Sequence, residues 1–175
     1  VSLLTSQGGY VFKERIITKT PDWRQNARMN EEDLRTIVIR DLHAKGVNVI
    51  NFKTGTFDLM IEGSNPIILE LKMITESGKR GYIEAEAGNK KGFTFTEDQI
   101  PELLKTRFPI YILANDGHNY YLFDPKWVKF QVEDLKRHDR TVLDESRWND
   151  NDWNSVSPIT YDMAINNILK IVNRR

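Results

Sequence analysis

"TFDLMIEGSNPIILELKM", residues 56–73, decides how the chain is read. Two apolar runs flank the turn-forming residues Gly63, Ser64 and Asn65, so the stretch reads as a β-hairpin with strands over 57–62 and 66–73. Side chains on a strand alternate faces. Asp58, Met60 and Glu62 therefore share one face of the first strand, and Ile68, Glu70 and Lys72 share one face of the second. A three-residue loop sets Glu62 opposite Pro66, and counting back along the two strands places Asp58 directly across from Glu70. Two carboxylates so placed, with β-carbons roughly 5 Å apart, repel unless something positive lies between them. A divalent cation would serve, and hard oxygen ligands with no His or Cys nearby suit Mg²⁺ or Mn²⁺ rather than zinc. Lys72 points to the same side, where it can orient or help deprotonate a water, or neutralise charge developing on a phosphate. An ordinary half-exposed hairpin shows the same alternation, and the strands alone do not separate the two readings.

On the N-terminal side, residues 1–28 contain Gly8-Gly9, a β-like "YVFKERIITK" and a Thr-Pro-Asp turn, and read as an arm. Asn30 followed by Glu31, Glu32 and Asp33 predicts a capped helix running to about Lys45. Leu34, Ile37, Val38 and Leu42 form its apolar stripe, Gly46 stops it, and "VNVINF" begins a strand. Beyond the hairpin lies a polar excursion over 75–92, with a short strand expected in "GYIEAEAG". "TEDQIPELLKTRF" predicts a second helix with Thr96 as cap and Pro101 tolerated in its early turns. "PIYILAND" and "NYYLFDP" read as strands around a turn at Asp116, Gly117 and His118. Residues 126–158 are charged, carry Trp127, Trp148 and Trp153, and include "WNDNDWNS", which suits neither helix nor strand. A closing helix is expected over Tyr161–Val172, with Met163, Ile165, Ile168, Leu169 and Val172 on its apolar face. The sum is an α/β (α+β) chain with one mixed sheet flanked by helices, read as a single domain. Its parts are an arm (1–28), a core (29–125) and a C-terminal extension (126–175).

Composition narrows the function classes. The absence of cysteine excludes a disulfide framework and any thiolate zinc site. No apolar run approaches the roughly 20 residues of a membrane-spanning helix, so a soluble, cytoplasmic protein without a membrane partner is expected. Lys plus Arg and Asp plus Glu both total 25, so there is no global basic excess to hold nucleic acid, and any such contact must come from local patches. His43, His118 and His138 have no metal-binding spacing.

Asp58, a twelve-residue step, then Glu70-Leu71-Lys72 resembles the PD-(D/E)XK nuclease superfamily. Its signature is an acid on one strand and an acid-any-lysine triplet on the next, after a helix bearing a glutamate. Phe57 stands where the family often has proline. The element order over 30–125 is similar to that of archaeal Holliday junction resolvases and Mrr-like nucleases. The resemblance implies a restriction-endonuclease-like fold, with Asp58, Glu70 and the Leu71 backbone carbonyl binding one metal. Glu31 matches the helix glutamate that binds a second metal or a water, and it also lies three and seven residues before Leu34 and Val38 on the inward stripe. Complementing the helix dipole would explain Glu31 equally well. Gln99 resembles the glutamine that orients the lysine or touches a phosphate, although an amphipathic helix can carry a surface glutamine there.

The function implied is Mg²⁺-dependent hydrolysis of phosphodiester bonds in double-stranded DNA, with Mn²⁺ as a substitute. Lys79, Arg80, Lys90 and Lys91 would grip phosphates from the excursion at 75–92. The neutral charge and the Trp- and Asn-rich last third favour a sequence-specific, restriction-type endonuclease working as a homodimer. A structure-specific enzyme cutting junctions or repair intermediates is the alternative, and a non-catalytic DNA-binding or interaction domain is the alternative of another class. Removing Asp58 or Glu70 is expected to relieve repulsion and raise stability in EDTA.

Overall fold

A computed structural model describes residues 29–52, 55–76, 91–144 and 156–174, and its helices and strands belong to one compact unit, Glu31–Arg175. In chain order the elements are α1 (Glu31–Ala44), β1 (Val49–Asn51), β2 (Leu59–Ile61), β3 (Ile67–Met73), β4 (Thr75–Glu76) and β5 (Lys91–Thr94). They continue with α2 (Gln99–Lys105), β6 (Ile110–Asn115), β7 (Tyr120–Phe123), α3 (Pro125–Arg137), β8 (Val142–Asp144) and α4 (Tyr161–Val172). Five strands form a mixed sheet in the order β1-β2-β3-β6-β7, and β4-β5-β8 form a second sheet. β3 and β6 run parallel, and the other neighbouring strands are antiparallel.

The hairpin has the expected register: Ile61 pairs with Ile67 and Leu59 with Leu69, so the three-residue loop has set which side chains face each other. β2 is nevertheless shorter than predicted. Where the next rung would form, the Leu71 N–H donates to Asp58 Oδ2 at 2.8 Å, so a side chain takes the place of a backbone carbonyl and the ladder ends. Six of the seven β3 residues are buried. The half-exposed hairpin is thereby excluded, because β3 is the central strand and has core on both faces.

Ile68 of β3 joins Ile110, Ile112, Ala114 and Phe123 in a cluster with Phe93, Ile100, Leu103, Val128 and Val132 from β5, α2 and α3. The alternate positions Leu69 and Leu71 are fully buried on the other side, where α1 packs on β3 and α4 packs on α1 and β7. Leu34, Ile37, Val38 and Leu42 of α1 are buried, as its stripe predicted. On α4, Met163 is 50% exposed and Ala164 takes the inward place expected for it. Tyr161 ties this helix down by donating to Asp41 Oδ2 at 2.7 Å.

The largest departure lies after Phe123. Residues 125–137 form a helix, with the Asp124 side chain accepting from the Trp127 N–H and Pro125 in the first turn. Val128, Val132 and Leu135 are buried at helical spacing beneath a charged outer face, so this segment builds core and is no appendage. Trp127 stacks on Phe123 with ring centroids 4.0 Å apart, which gives it a packing role. Trp148 and Trp153, the N-terminal arm and the strand expected in "GYIEAEAG" lie outside the described residues.

Gly63 is where the hairpin meets the end of α4. A β-carbon there would sit 2.5 Å from the Val172 carbonyl oxygen, which also accepts the Asn65 N–H at 3.0 Å. Gly63→Ala must push hairpin and helix apart, and we expect a loss of about 2 kcal/mol in urea unfolding. An unchanged midpoint would mean that the turn can shift freely.

Candidate active site

The site forms where the hairpin ladder stops. Asp58 sits one residue before β2, and its backbone N–H donates to Glu70 Oε1 at 3.2 Å across the gap, so the predicted opposition of the two acids is present. Glu70 is 1% exposed, and Lys72, two residues on and on the same face of β3, is 6% exposed. The Lys72 ammonium lies 3.5 Å from Glu70 Oε2 and 4.7 Å from the centre of the Phe95 ring, with which it makes a cation–π contact.

Gln99 ties these groups to α2. Its Nε2 donates to the Thr56 carbonyl at 2.9 Å and to Glu70 Oε2, while its Oε1 accepts from the Thr96 N–H at 3.0 Å and from Lys72 Nζ at 3.2 Å. Both donors and both lone pairs of the amide are used, and turning it over would set an NH₂ against an ammonium and an N–H. The Gln99 N–H in turn donates to Thr96 Oγ1 at 3.2 Å, a reciprocal exchange of the capping-box kind across the turn that leads into α2. The helix begins later than expected, with Asp98 in place of Thr96 at its N-cap position. One side chain therefore ties that turn and holds the buried acid-lysine pair.

Arg35 is the member that the sequence reading missed. Its Nη2 is paired with Asp58 Oδ1, and its Nη1 donates to Asn51 Oδ1 at 3.0 Å and to the Asp58 carbonyl at 3.2 Å. The signal was available: Arg35 follows Glu31 by four residues and so lies one turn further along the same helix face. Glu31 is half-buried. Burial raises its pKa, with Lys72 opposing and Asp58 adding to the rise, so it lies within electrostatic reach of both. Glu32 is exposed and stands 3.5 Å from Arg35 Nε.

For Glu70, burial is the first cause of a pKa pushed up to about 8, with Lys72 opposing and Asp58 reinforcing the rise. The folded chain accordingly holds a proton on Glu70 between about 4.5 and about 8 that the unfolded chain has released. Stability in EDTA should fall as pH rises through that window, and Glu70→Gln should flatten the slope. Parallel slopes for the two proteins in urea unfolding from pH 5 to 8 would refute the assignment.

Among the described residues, no three His, Cys, Asp or Glu side chains stand together as a ready-made metal site. Each carboxylate oxygen of Asp58 and Glu70 already has a protein donor. The donor chemistry nonetheless fits a hard divalent cation. Two facing carboxylates are joined by the Leu71 carbonyl, which points to the same side of β3 as the Leu71 N–H and so into the space where β2 has ended. Of the expected phosphate-gripping residues, Lys91 is exposed at the start of β5, whereas Lys79, Arg80 and Lys90 lie outside the described residues. His43, His118 and His138 are all exposed. No described helix is long and apolar enough to cross a membrane. No family model matches the chain, and no curated protein has significant similarity to it.

Proposed function

We propose that the chain is a metal-dependent endonuclease that hydrolyses phosphodiester bonds in double-stranded DNA. The observation that carries the reading is the burial of Glu70 and Lys72 on the central strand, wired through Gln99 and facing Asp58. Burying an ionisable acid beside a lysine is costly enough to push the acid's pKa up, and perturbed buried acids of this kind cluster at functional sites. The same residues carry the resemblance to PD-(D/E)XK nucleases, at matching positions along the chain.

On this reading Asp58, Glu70 and the Leu71 carbonyl would hold the cation, and Glu31 would hold a second cation or a water from the α1 side. A divalent cation in that position supplies Lewis-acid activation of water and phosphate. Lys72, kept in place by Gln99 and Phe95, aligns the attacking water and offsets the charge that grows on the phosphate as the P–O bond breaks. A homodimer would supply one site per strand. The net charge of zero favours a restriction-type enzyme over one that holds junctions through many phosphates.

The full satisfaction of the four carboxylate oxygens favours a second reading, in which the chain is a non-catalytic domain and the network serves only to fix its core. Supercoiled plasmid incubated with Mg²⁺ and protein separates the two. Nicked or linear product that disappears with EDTA and with Glu70→Gln supports the nuclease. Intact plasmid across Mg²⁺, Mn²⁺ and a range of DNA sequences supports the non-catalytic domain.

A further inference from the structure

The geometry points to Arg35 as a phosphate-binding residue of this site, parked on Asp58 until a divalent cation takes that carboxylate. The inference rests on the nuclease reading and adds a residue that the acid-lysine motif does not contain. Its basis is an unequal set of bonds. Nη1 is held by the Asn51 side chain and by the Asp58 backbone carbonyl, neither of which a cation at the carboxylates needs. Nη2 has one partner, Asp58 Oδ1. A cation taking that oxygen would break one bond and leave the guanidinium anchored by the other two and by the exposed Glu32, whose Oε1 lies 3.5 Å from Nε.

The freed Nη2 would lie near such a cation, and two positive groups so close repel unless an anion lies between them. A phosphodiester would supply one, since a non-bridging oxygen could accept from the Nη2 N–H while Nη1 keeps its two protein partners. Arg35 is also the least buried of these groups: its side chain is 15% exposed, against 9% for Asp58, 7% for Lys72 and 2% for Glu70.

Calorimetric titration of the metal-free full-length chain with Mn²⁺ tests the first half, and binding of a 20-base-pair duplex in Ca²⁺ tests the second. Arg35→Met should tighten Mn²⁺ about tenfold, because Asp58 no longer has a partner to release, and should weaken duplex binding in Ca²⁺ about tenfold. These shifts have opposite signs. General damage to the fold would weaken both, so that pattern overturns the proposal, as does an unchanged Mn²⁺ affinity. Asn51→Ala provides a milder test should Arg35→Met fold poorly: it removes an anchor of Nη1 and should lower duplex affinity in Ca²⁺ with Mn²⁺ affinity unchanged. Wild-type duplex affinity in Asn51→Ala would equally overturn the proposal. Cleavage of plasmid by the wild type without the opposite shifts would leave the nuclease reading intact and remove the role of Arg35. Opposite shifts without any cleavage would do the reverse. No Mn²⁺ binding to any of the proteins would remove both.

Discussion

Asp58→Asn should lower the single-turnover cleavage rate by roughly a thousandfold or more while leaving a folded protein. The substitution takes away a charge that a cation requires but keeps a carbonyl oxygen able to accept the Leu71 N–H. The several kcal/mol of transition-state stabilisation at stake in a metal site correspond to at least that factor. Asp58→Ala should differ from it in stability. It leaves the Arg35 guanidinium without its carboxylate and the Leu71 N–H without an acceptor, and breaking a buried pair in this way costs about 3 kcal/mol. The expectation that losing this acid would raise stability in EDTA is therefore reversed by Arg35, which already neutralises Asp58 in the metal-free chain. Cleavage by Asp58→Asn at the wild-type rate would sink the cation site, and a wild-type unfolding midpoint for Asp58→Ala in EDTA would sink the account of the ion pair.

Lys72→Met should keep duplex binding and lose turnover by about a hundredfold or more, the range expected when a group that stabilises charge developing in the transition state is removed. Methionine suits the test because its length and apolar end can rest on Phe95, where the lysine ammonium now lies. The Glu70 carboxyl would lose the strongest influence lowering its pKa and would stay protonated to higher pH, so it can remain buried without its partner. Stability near neutral pH should accordingly change less than for Asp58→Ala. Gel-shift binding in Ca²⁺ and cleavage in Mg²⁺, measured side by side, check the split. Weakened binding with normal turnover of bound DNA would make Lys72 a phosphate clamp only.

Much of the site was legible because strand pairing is arithmetic. A three-residue loop and a period of two suffice to set Asp58 against Glu70, and a single helical stripe suffices to turn Glu31 inward. Gln99 entered only through the resemblance; what fixes where its amide lies is the exchange with Thr96, whose N–H donates to Gln99 Oε1 and whose Oγ1 accepts the Gln99 N–H. Arg35 was harder to read. Its partner is 23 positions away, just before an inner strand of the sheet, and no local periodicity encodes an ion pair between a helix and a strand end. The helix over 125–137 was missed because its buried positions, Val128, Val132 and Leu135, are interleaved with lysines and acids, so charge masked a stripe that packing makes plain. Trp127 in the same segment was ambiguous in sequence, because a tryptophan beside charges suits a DNA surface and a stacked core equally well, and its stack on Phe123 supplies the packing half of that reading.

The end of the hairpin ladder at Asp58 also bears on the order in which the molecule assembles. Asp58 and Glu70 are 12 positions apart, whereas Arg35 reaches Asp58 over 23 and Gln99 reaches Lys72 over 27. Short loops close at lower entropic cost, and parallel pairing such as β3 with β6 waits for a long crossover. The nascent hairpin is thus expected to bring its two acids together with only Lys72 to moderate them, before α1 and α2 deliver their contributions. Millimolar Mg²⁺ present during refolding should then accelerate the hairpin step, readable as earlier amide protection of Leu69 and Leu71 in pulsed hydrogen exchange. A cation that binds so early would be a folding aid before it is a cofactor.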